Sequence, residues 1–586
     1  MKKKLALILA MLLIVTLFAA CGGGGKTTTT APPTGQTGDD IGGDEIPDET
    51  EKPDSPYNFA VGNYEVDERG FPTGSYEYTL PLSTVEDEVF TYWMTCYTPQ
   101  FIPEEGFGEM PYQRHTREKT GVNIEYQVIN SQAMMENFSV MINSDDLSDL
   151  ISGFRFYWSG PPKSAIEDAY IVNLIDYRDY MPNYMYQAVR FDDIDVYNTI
   201  FYDEETILAF YTMIEEPMPG MNYCARADWL RKLDMDPDDI ITYDDVHEML
   251  TRFKNELDVK WPMEIFKTVE PTAAMIFAGY DTAMFVSDQA LPTIKIVDGV
   301  PTFTLTQQED YEALVLIKSW LEEGLIDPAW TSVSTNQDIT PQILNGETGY
   351  VAFNPGEIKG FEDAASDPDA EWAALKKVRK YEGQAFKLGS KLGHFSYGSN
   401  SISATCENIP LLVTYCDYFY SPEGSFSSSY GVQGHTWDYN EDGEIRLTDF
   451  VLRNPDGLGV AWVMIMNALN SFVDPGIEWH TRNYAYDGGE RLLNMMKVTW
   501  AEPNYSGEYD WPTSLKFTDE QSEELNKVQA DVVTYIGENF LSFVDGSKPL
   551  SEWDTYVAEA KAIGLDACQA IFQEAYDAFI AKHGDF

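Results

Sequence analysis

From residue 85 onward the chain repeats one pattern. A short run of apolar, β-branched or aromatic residues is followed by a stretch whose apolar positions recur every three to four residues. "EVFTYWMTCY" (88–97) predicts a buried strand. "PYQRHTREKTGVNIEYQVI" (111–129) predicts a helix ending at Gly121, then a strand from Val122 to Ile129. "MMENFSVMINSDDLSDLISG" places Met135, Phe138, Met141 and Ile142 on one helical face before the short strand "DLI". "RADWLRKLDMDPDDIITYDDVHEMLTRFKNEL" reads as helix, turn and helix, with Thr242 as N-cap. "YEALVLIKSWLEEGLIDPAW" predicts a helix stopped by Gly324, and "GETGYVAFNPG" a strand leaving a glycine turn. The tail from residue 550 reads as a helix pair broken at Gly564. Alternating strands and helices predict parallel βαβ units in a doubly wound α/β sheet. Such sheets take ligands at the carboxyl ends of their strands.

The first 57 residues follow a different pattern. "MKKK" precedes an uninterrupted apolar or small stretch, Leu5 to Ala20, broken only by Thr16. A basic start, a short apolar core and small residues before a cut describe a secretory signal over residues 1–20. The following "CGGGGKTTTT" imitates a phosphate loop, but the first glycine of that motif would fall on Ala20. Residues 21–57, rich in Gly, Thr, Pro and acids, cannot bury a core and read as a tether.

Charge and cysteine content narrow the function. At a formal net charge of −57 the chain repels nucleic acid, so DNA or RNA binding is excluded as a role. None of its six cysteines forms a C-x-x-C pair, which removes zinc ribbons and thioredoxin motifs. Buried free thiols are expected, although Cys406 and Cys416 are near enough in sequence to pair. No cofactor is expected. Neither H-E-x-x-H nor G-x-S-x-G occurs. A secreted glycoside hydrolase, needing two carboxylates across a cleft, remains the enzymatic alternative; a surface sugar sensor or adhesin without transport is the other.

"AAC" at 19–21 resembles a lipobox, with Phe18 where leucine is usual, and this implies lipidation of Cys21 at the extracellular face of the membrane. From residue 85 the chain resembles extracellular solute-binding proteins of carbohydrate ABC importers, in their long Gram-positive lipoprotein branch. The segments carrying the likeness include "REKTGVNIEYQV", "INSDDLSDLI", "AYIVNLIDYRDYMPNY", "RADWLRKLDMDP", "EEGLIDPAW", "NGETGYVAF" and "YFYSPEGSFSSSYGVQGHTWDYNEDGE". The chain departs from the family's Gly-x-Glu-Gly at Gly431-Val432-Gln433-Gly434, replacing the acid by Gln433. The resemblance implies a type II periplasmic-binding-protein-like fold, two α/β lobes closing about a hinge. Lobe one would hold 85–215 plus 390–475, and lobe two 216–390 plus 476–586. It further implies an oligosaccharide ligand, ABC permease subunits as partners, a lipid anchor to the membrane, a monomeric state and no catalysis.

A sugar site wants aromatic platforms and a few polar groups in loops after strands. "ISGFRFYWSGPP" offers Arg155, Tyr157 and Trp158; "PGMNYCARADW" offers Tyr223 and Arg226; "YGVQGHTWDYNEDG" offers Gln433, His435 and Trp437; Trp93 lies in the first strand. Each aromatic also fits a core or loop-packing role. "DYNEDGEIRLTD" (438–449) has calcium-loop spacing at Asp438, Asn440, Asp442 and Asp449, but "NEDGE" is equally a hairpin turn, which is the favoured reading.

Overall fold

Two sheets, each inside its own hydrophobic core, organise residues 55–586. The computed structural model describes residues 55–583 except 192, 266–275, 284–289, 334–337, 390–392, 456–457, 469–476 and 503. The signal, Cys21 and residues 21–54 of the tether therefore lie outside the described residues.

In the first sheet, strands β1 (Val89–Cys96), β2 (Asn123–Asn130) and β3 (Leu150–Ser152) run parallel, as the alternating pattern predicts. Between them lie the helices Pro111–Thr120 and Met134–Ser144. The first ends where expected: Gly121 takes φ +68°, and a Cβ there would lie 2.0 Å from the Ser83 carbonyl oxygen. Strand β4 (Phe210–Met213) completes the set. The chain then enters the second sheet at β5 (Asn222–Arg226). After the hairpin β6 (Ile294–Val297) and β7 (Val300–Phe303), strands β8 (Tyr350–Phe353) and β9 (Trp372–Ala374) flank β5, both antiparallel to it. The helices Tyr243–Glu256 and Gln308–Glu322 cover this sheet. Thr242 and Asp245 close the first of these helices with a reciprocal capping box.

The chain returns to the first sheet as β10 (Phe395–Ile402), giving the order β2-β1-β3-β10-β4. The parallel expectation thus holds for β1–β3 alone: β10 is antiparallel to both neighbours, and every pair of the second sheet is antiparallel. Arriving from the second sheet, β10 enters at the edge where β3 and β4 leave. The hairpin β11 (Trp437–Tyr439) and β12 (Ile445–Leu447) follows. Leu447, Val451, Val463 and Met464 pack into the second core, whereas Met466 packs into the first. Helix Val460–Asn467 thus touches both.

Residues 57–84, for which no element was read, coat the first core through Ala60, Phe71, Tyr78 and Leu82. Tyr78 donates its hydroxyl hydrogen to the buried Asp417 carboxylate at 2.7 Å. The same carboxylate accepts the main-chain N–H groups of Asn183 (3.1 Å) and Tyr184 (2.6 Å), so it closes the start of helix Pro182–Arg190. All five described cysteines, Cys406 and Cys416 included, are buried and outside any disulfide. Among the described residues no helix is long and apolar enough to cross a membrane.

Candidate functional site

The parallel strands of the first sheet all end at one edge, and β1 delivers Tyr97 there. This ring is 46% exposed, and its centroid lies 6.3 Å from that of the half-buried Trp462. Trp462 belongs to helix Val460–Asn467, whose Ala461 packs close to Gly356 at the start of helix Pro355–Ala364, directly after β8. One aromatic side chain from the first sheet therefore meets one supported by the second core. Behind the pair, the Cys96 sulfur touches the Met466 sulfur at 3.6 Å.

Next to this junction lies a cavity of about 490 Å³, lined on one side by Phe101, Glu109 and Arg114 and on the other by His435, Phe450 and Asn467. The His435 ring stacks on Phe450 with centroids 4.2 Å apart, and its Nε2 lies 3.3 Å from Asn467 Oδ1. Apolar faces beside a carboxylate, a guanidinium, an imidazole and an amide give a cavity able to hold a polyhydroxylated ligand with C–H faces.

The β3 edge is built by a glycine. Gly153 sits at φ +69°, and a Cβ there would lie 2.7 Å from the Tyr157 ring, so only glycine lets Phe154–Tyr157 turn into a helix directly off β3. Arg155 is consequently exposed, and its Nη1 donates to Tyr211 Oη at 3.0 Å while its guanidinium lies 5.5 Å from that ring's centroid. Phe156 points outward, 63% exposed. Tyr157 is half-buried, donating to the Met134 sulfur at 3.3 Å, and burial raises its phenol pKa. Trp158 stacks on Phe154 with centroids 5.5 Å apart and donates Nε1–H to the Pro161 carbonyl at 3.1 Å.

The other residues singled out from sequence are placed differently. Trp93 is 3% exposed and packs edge-on to Phe138 and Tyr157. Tyr223 is equally buried, against Tyr350. Arg226 is held inside the second lobe by a two-pronged pair with Asp228, at 2.7 and 3.0 Å. A ring or guanidinium without an exposed face offers a ligand nothing to stack on or bond, so these three are structural in this conformation. Trp437 is also buried, against Phe426 and Tyr439, and Gln433 donates to Asp438 at its surface. Of the "GVQGHTW" group only His435 reaches the cavity. Asn440 accepts from the main chain of Asp442 and Glu444, which makes residues 438–447 a tight hairpin. Asp449 instead starts a helix and pairs with Arg453. Among the described residues no three metal-binding side chains converge.

Tyr97, Phe156 and Trp462 were missed. Tyr97 closes a run already read as a strand, and Phe156 lay inside a stretch already quoted. Trp462 sits in an almost wholly apolar helix, VAWVMIMN, with no polar face to mark which side is exposed.

The described residues thus form two α/β units, each with its own core, and a ligand-sized cavity lies beside the passages between them. A solved extracellular solute-binding protein from Bifidobacterium longum subsp. infantis superposes with a TM-score of 0.64 at 15% identity, covering 88% of this chain and 99% of its own. The S. pneumoniae ABC-transporter substrate-binding protein FusA in complex with kestose gives 0.64 at 18% identity, over 84% and 100%. The alginate-binding protein AlgQ2 without calcium ion gives 0.60 at 19%, over 83% and 98%. At these identities the likeness is one of fold. No protein-family model matches the sequence, and no curated protein matches it.

Proposed function

We propose that this protein is a solute-binding protein that captures a carbohydrate, in particular an oligosaccharide, and presents it to an ABC-type importer. The observation that carries the reading is the Tyr97–Trp462 pair beside the His435 cavity, where the two lobes meet. Solved proteins of the same fold include one described with kestose bound and one described as alginate-binding. The ligand would lie on Tyr97, Trp462 and Phe156, with Arg155, Tyr157 and His435 supplying polar contacts and Trp158 buttressing them. The protein's work is recognition and lobe closure, with no chemical step; ATP hydrolysis belongs to the permease's own subunits. It stands at the extracellular face of the membrane, held there by a diacylated Cys21, since stable attachment takes about two acyl chains.

The test is a thermal-shift screen of the protein against oligosaccharides, with each ligand's mass checked afterwards. Ligand at about 100 times its Kd adds about 2.7 kcal/mol of stability, so a bound sugar raises the melting temperature. Intact ligand with a shift supports the reading; cleaved ligand replaces it by a hydrolase. For the sugar that shifts it most, Trp462→Ala is expected to weaken binding about tenfold or more, roughly 1.4 kcal/mol. Phe156→Ala is expected to weaken it less. Unchanged calorimetric affinity in Trp462→Ala would remove the proposed platform. For the anchor, Cys21→Ser is expected to move the protein from the membrane pellet to the soluble fraction; a variant that still pellets like wild type would overturn the lipid assignment.

A further inference from the structure

A second cavity, about 540 Å³, lies in the second lobe at the opposite end of β5 and β8 from the proposed sugar site. It sits where Arg226 ends β5 and Tyr350 begins β8, beneath the loop that leaves helix Tyr243–Glu256. Glu264 forms its floor. That side chain is 1% exposed, yet among the described residues neither carboxyl oxygen has a hydrogen-bond partner. The Gln342 side-chain oxygen, which also lines the cavity, is likewise without one. Asp327 borders the same space. A buried carboxyl normally has its lone pairs satisfied, and leaving them unmet is costly. With the carboxyl ionised, the unmet oxygens of Glu264 and Gln342 are all acceptors, so a partner that brings donors completes this floor.

The walls indicate its charge. The half-buried Trp261 forms one of them and already attracts a cation, the Lys260 ammonium lying 5.0 Å from its ring centroid; Trp229, on another side, is buried with the Arg226 guanidinium 4.6 Å from its ring. Carboxylates outnumber amines around the space, Asp258, Asp327 and Glu347 with Glu264 against Lys232 and Lys260. A hard divalent ion would want about six to eight converging oxygens, and no three metal-binding side chains converge among the described residues.

We propose that this cavity is a binding site for a small aliphatic amine in its ammonium form, held between the Glu264 carboxylate and the indole of Trp261. It is separate from the sugar site and does not rest on that reading. Burial holds the Glu264 carboxyl neutral, pushed up to about 8, with the Asp327 charge adding to the effect. An arriving ammonium reverses that balance, so at pH 7 the carboxyl releases its proton to solvent as the amine binds.

The experiment is calorimetric titration of the full chain with putrescine, using 1,4-butanediol as the uncharged probe of the same length. Saturable putrescine binding, at least about tenfold tighter than butanediol, is expected. The heat should vary with the buffer's ionisation enthalpy, reporting the released proton. Glu264→Gln should lose about tenfold in affinity and the proton release with it. Trp261→Leu, on the wall, should weaken binding without abolishing that release. Equal affinity for both probes, absence of putrescine binding at millimolar concentration, undiminished binding by Glu264→Gln, or competition by calcium chloride at lower concentration than putrescine would each overturn the proposal.

Discussion

Glu264→Gln is expected to stabilise the protein at pH 8 by about 2–4 kcal/mol and to change it little at pH 4. In the fold this carboxyl is 1% exposed, and burial first, the Asp327 charge second, raises its pKa to about 8. In the unfolded chain it titrates near the ordinary glutamate value of about 4.3. Between those values the folded state keeps a proton that the unfolded state has lost. Stability from this group is therefore fully present below about 4 and falls as pH rises toward 8. Glutamine carries no charge to desolvate, and its NH₂ brings donors beside the unmet Gln342 oxygen. Denaturation midpoints of wild type and variant at pH 4.5, 6 and 8 check the claim. Parallel pH profiles would show that Glu264 ionises freely and that its burial has been overstated.

The strands and helices legible in the sequence are those whose pattern follows one local rule. β1 to β3 alternate with amphipathic helices; Gly121 and Gly564 interrupt helices through their positive φ, and Thr242 starts one through its side-chain cap, each a local rule. β10 was illegible. "FSYGSNSI" is polar for a strand inside a five-stranded sheet, and it holds its place through partners remote in sequence: Asn400 Oδ1 accepts from the Tyr92 hydroxyl at 2.7 Å, and the Ser401 hydroxyl donates to the Leu208 carbonyl at 3.0 Å. Residues 57–84 were illegible for the same reason, since Tyr78 acquires its role only when Asp417 arrives. In the site, Trp93, Trp437 and Tyr223 have the composition of a sugar platform and the positions of core residues. Aromatic content carries no information about which ring face stays open, and that depends on Phe138, Phe426 and Tyr350 packing against them. His435, two residues before the buried Trp437, is the one of the "GVQGHTW" group that lines the cavity.

Lys516→Met is expected to abolish a rise in stability that wild type shows from pH 7 toward pH 10. The segment 511–517 alternates: Trp511, Leu515 and Phe517 pack on the carboxyl-terminal helix Asp566–His583, while Ser514 and Lys516 reach the first lobe. Ser514 donates to Asp195 at 2.6 Å, at the start of helix Ile194–Ile200. The Lys516 amine donates to the carbonyls of Asn198, Phe201 and Tyr202, at the other end of that helix. One seven-residue helix of the first lobe is thus gripped at both ends by the second. Burial lowers the Lys516 pKa to about 7; the nearby Arg155 and Lys582 charges add to this and Asp203 opposes it. The unfolded chain keeps this amine protonated up to about 10.4. Between 7 and 10 the unfolded state therefore binds the extra proton, and stability from this group grows with pH, by at most about 1.4 kcal/mol per unit. Methionine keeps the length and removes the titration, so the gap between wild type and variant should widen from pH 7 to pH 9. Lys516→Arg, which stays charged throughout, should also lack the slope. A gap that stays constant with pH would mean that the amine keeps its proton against the helix end, with the three carbonyls outweighing its desolvation.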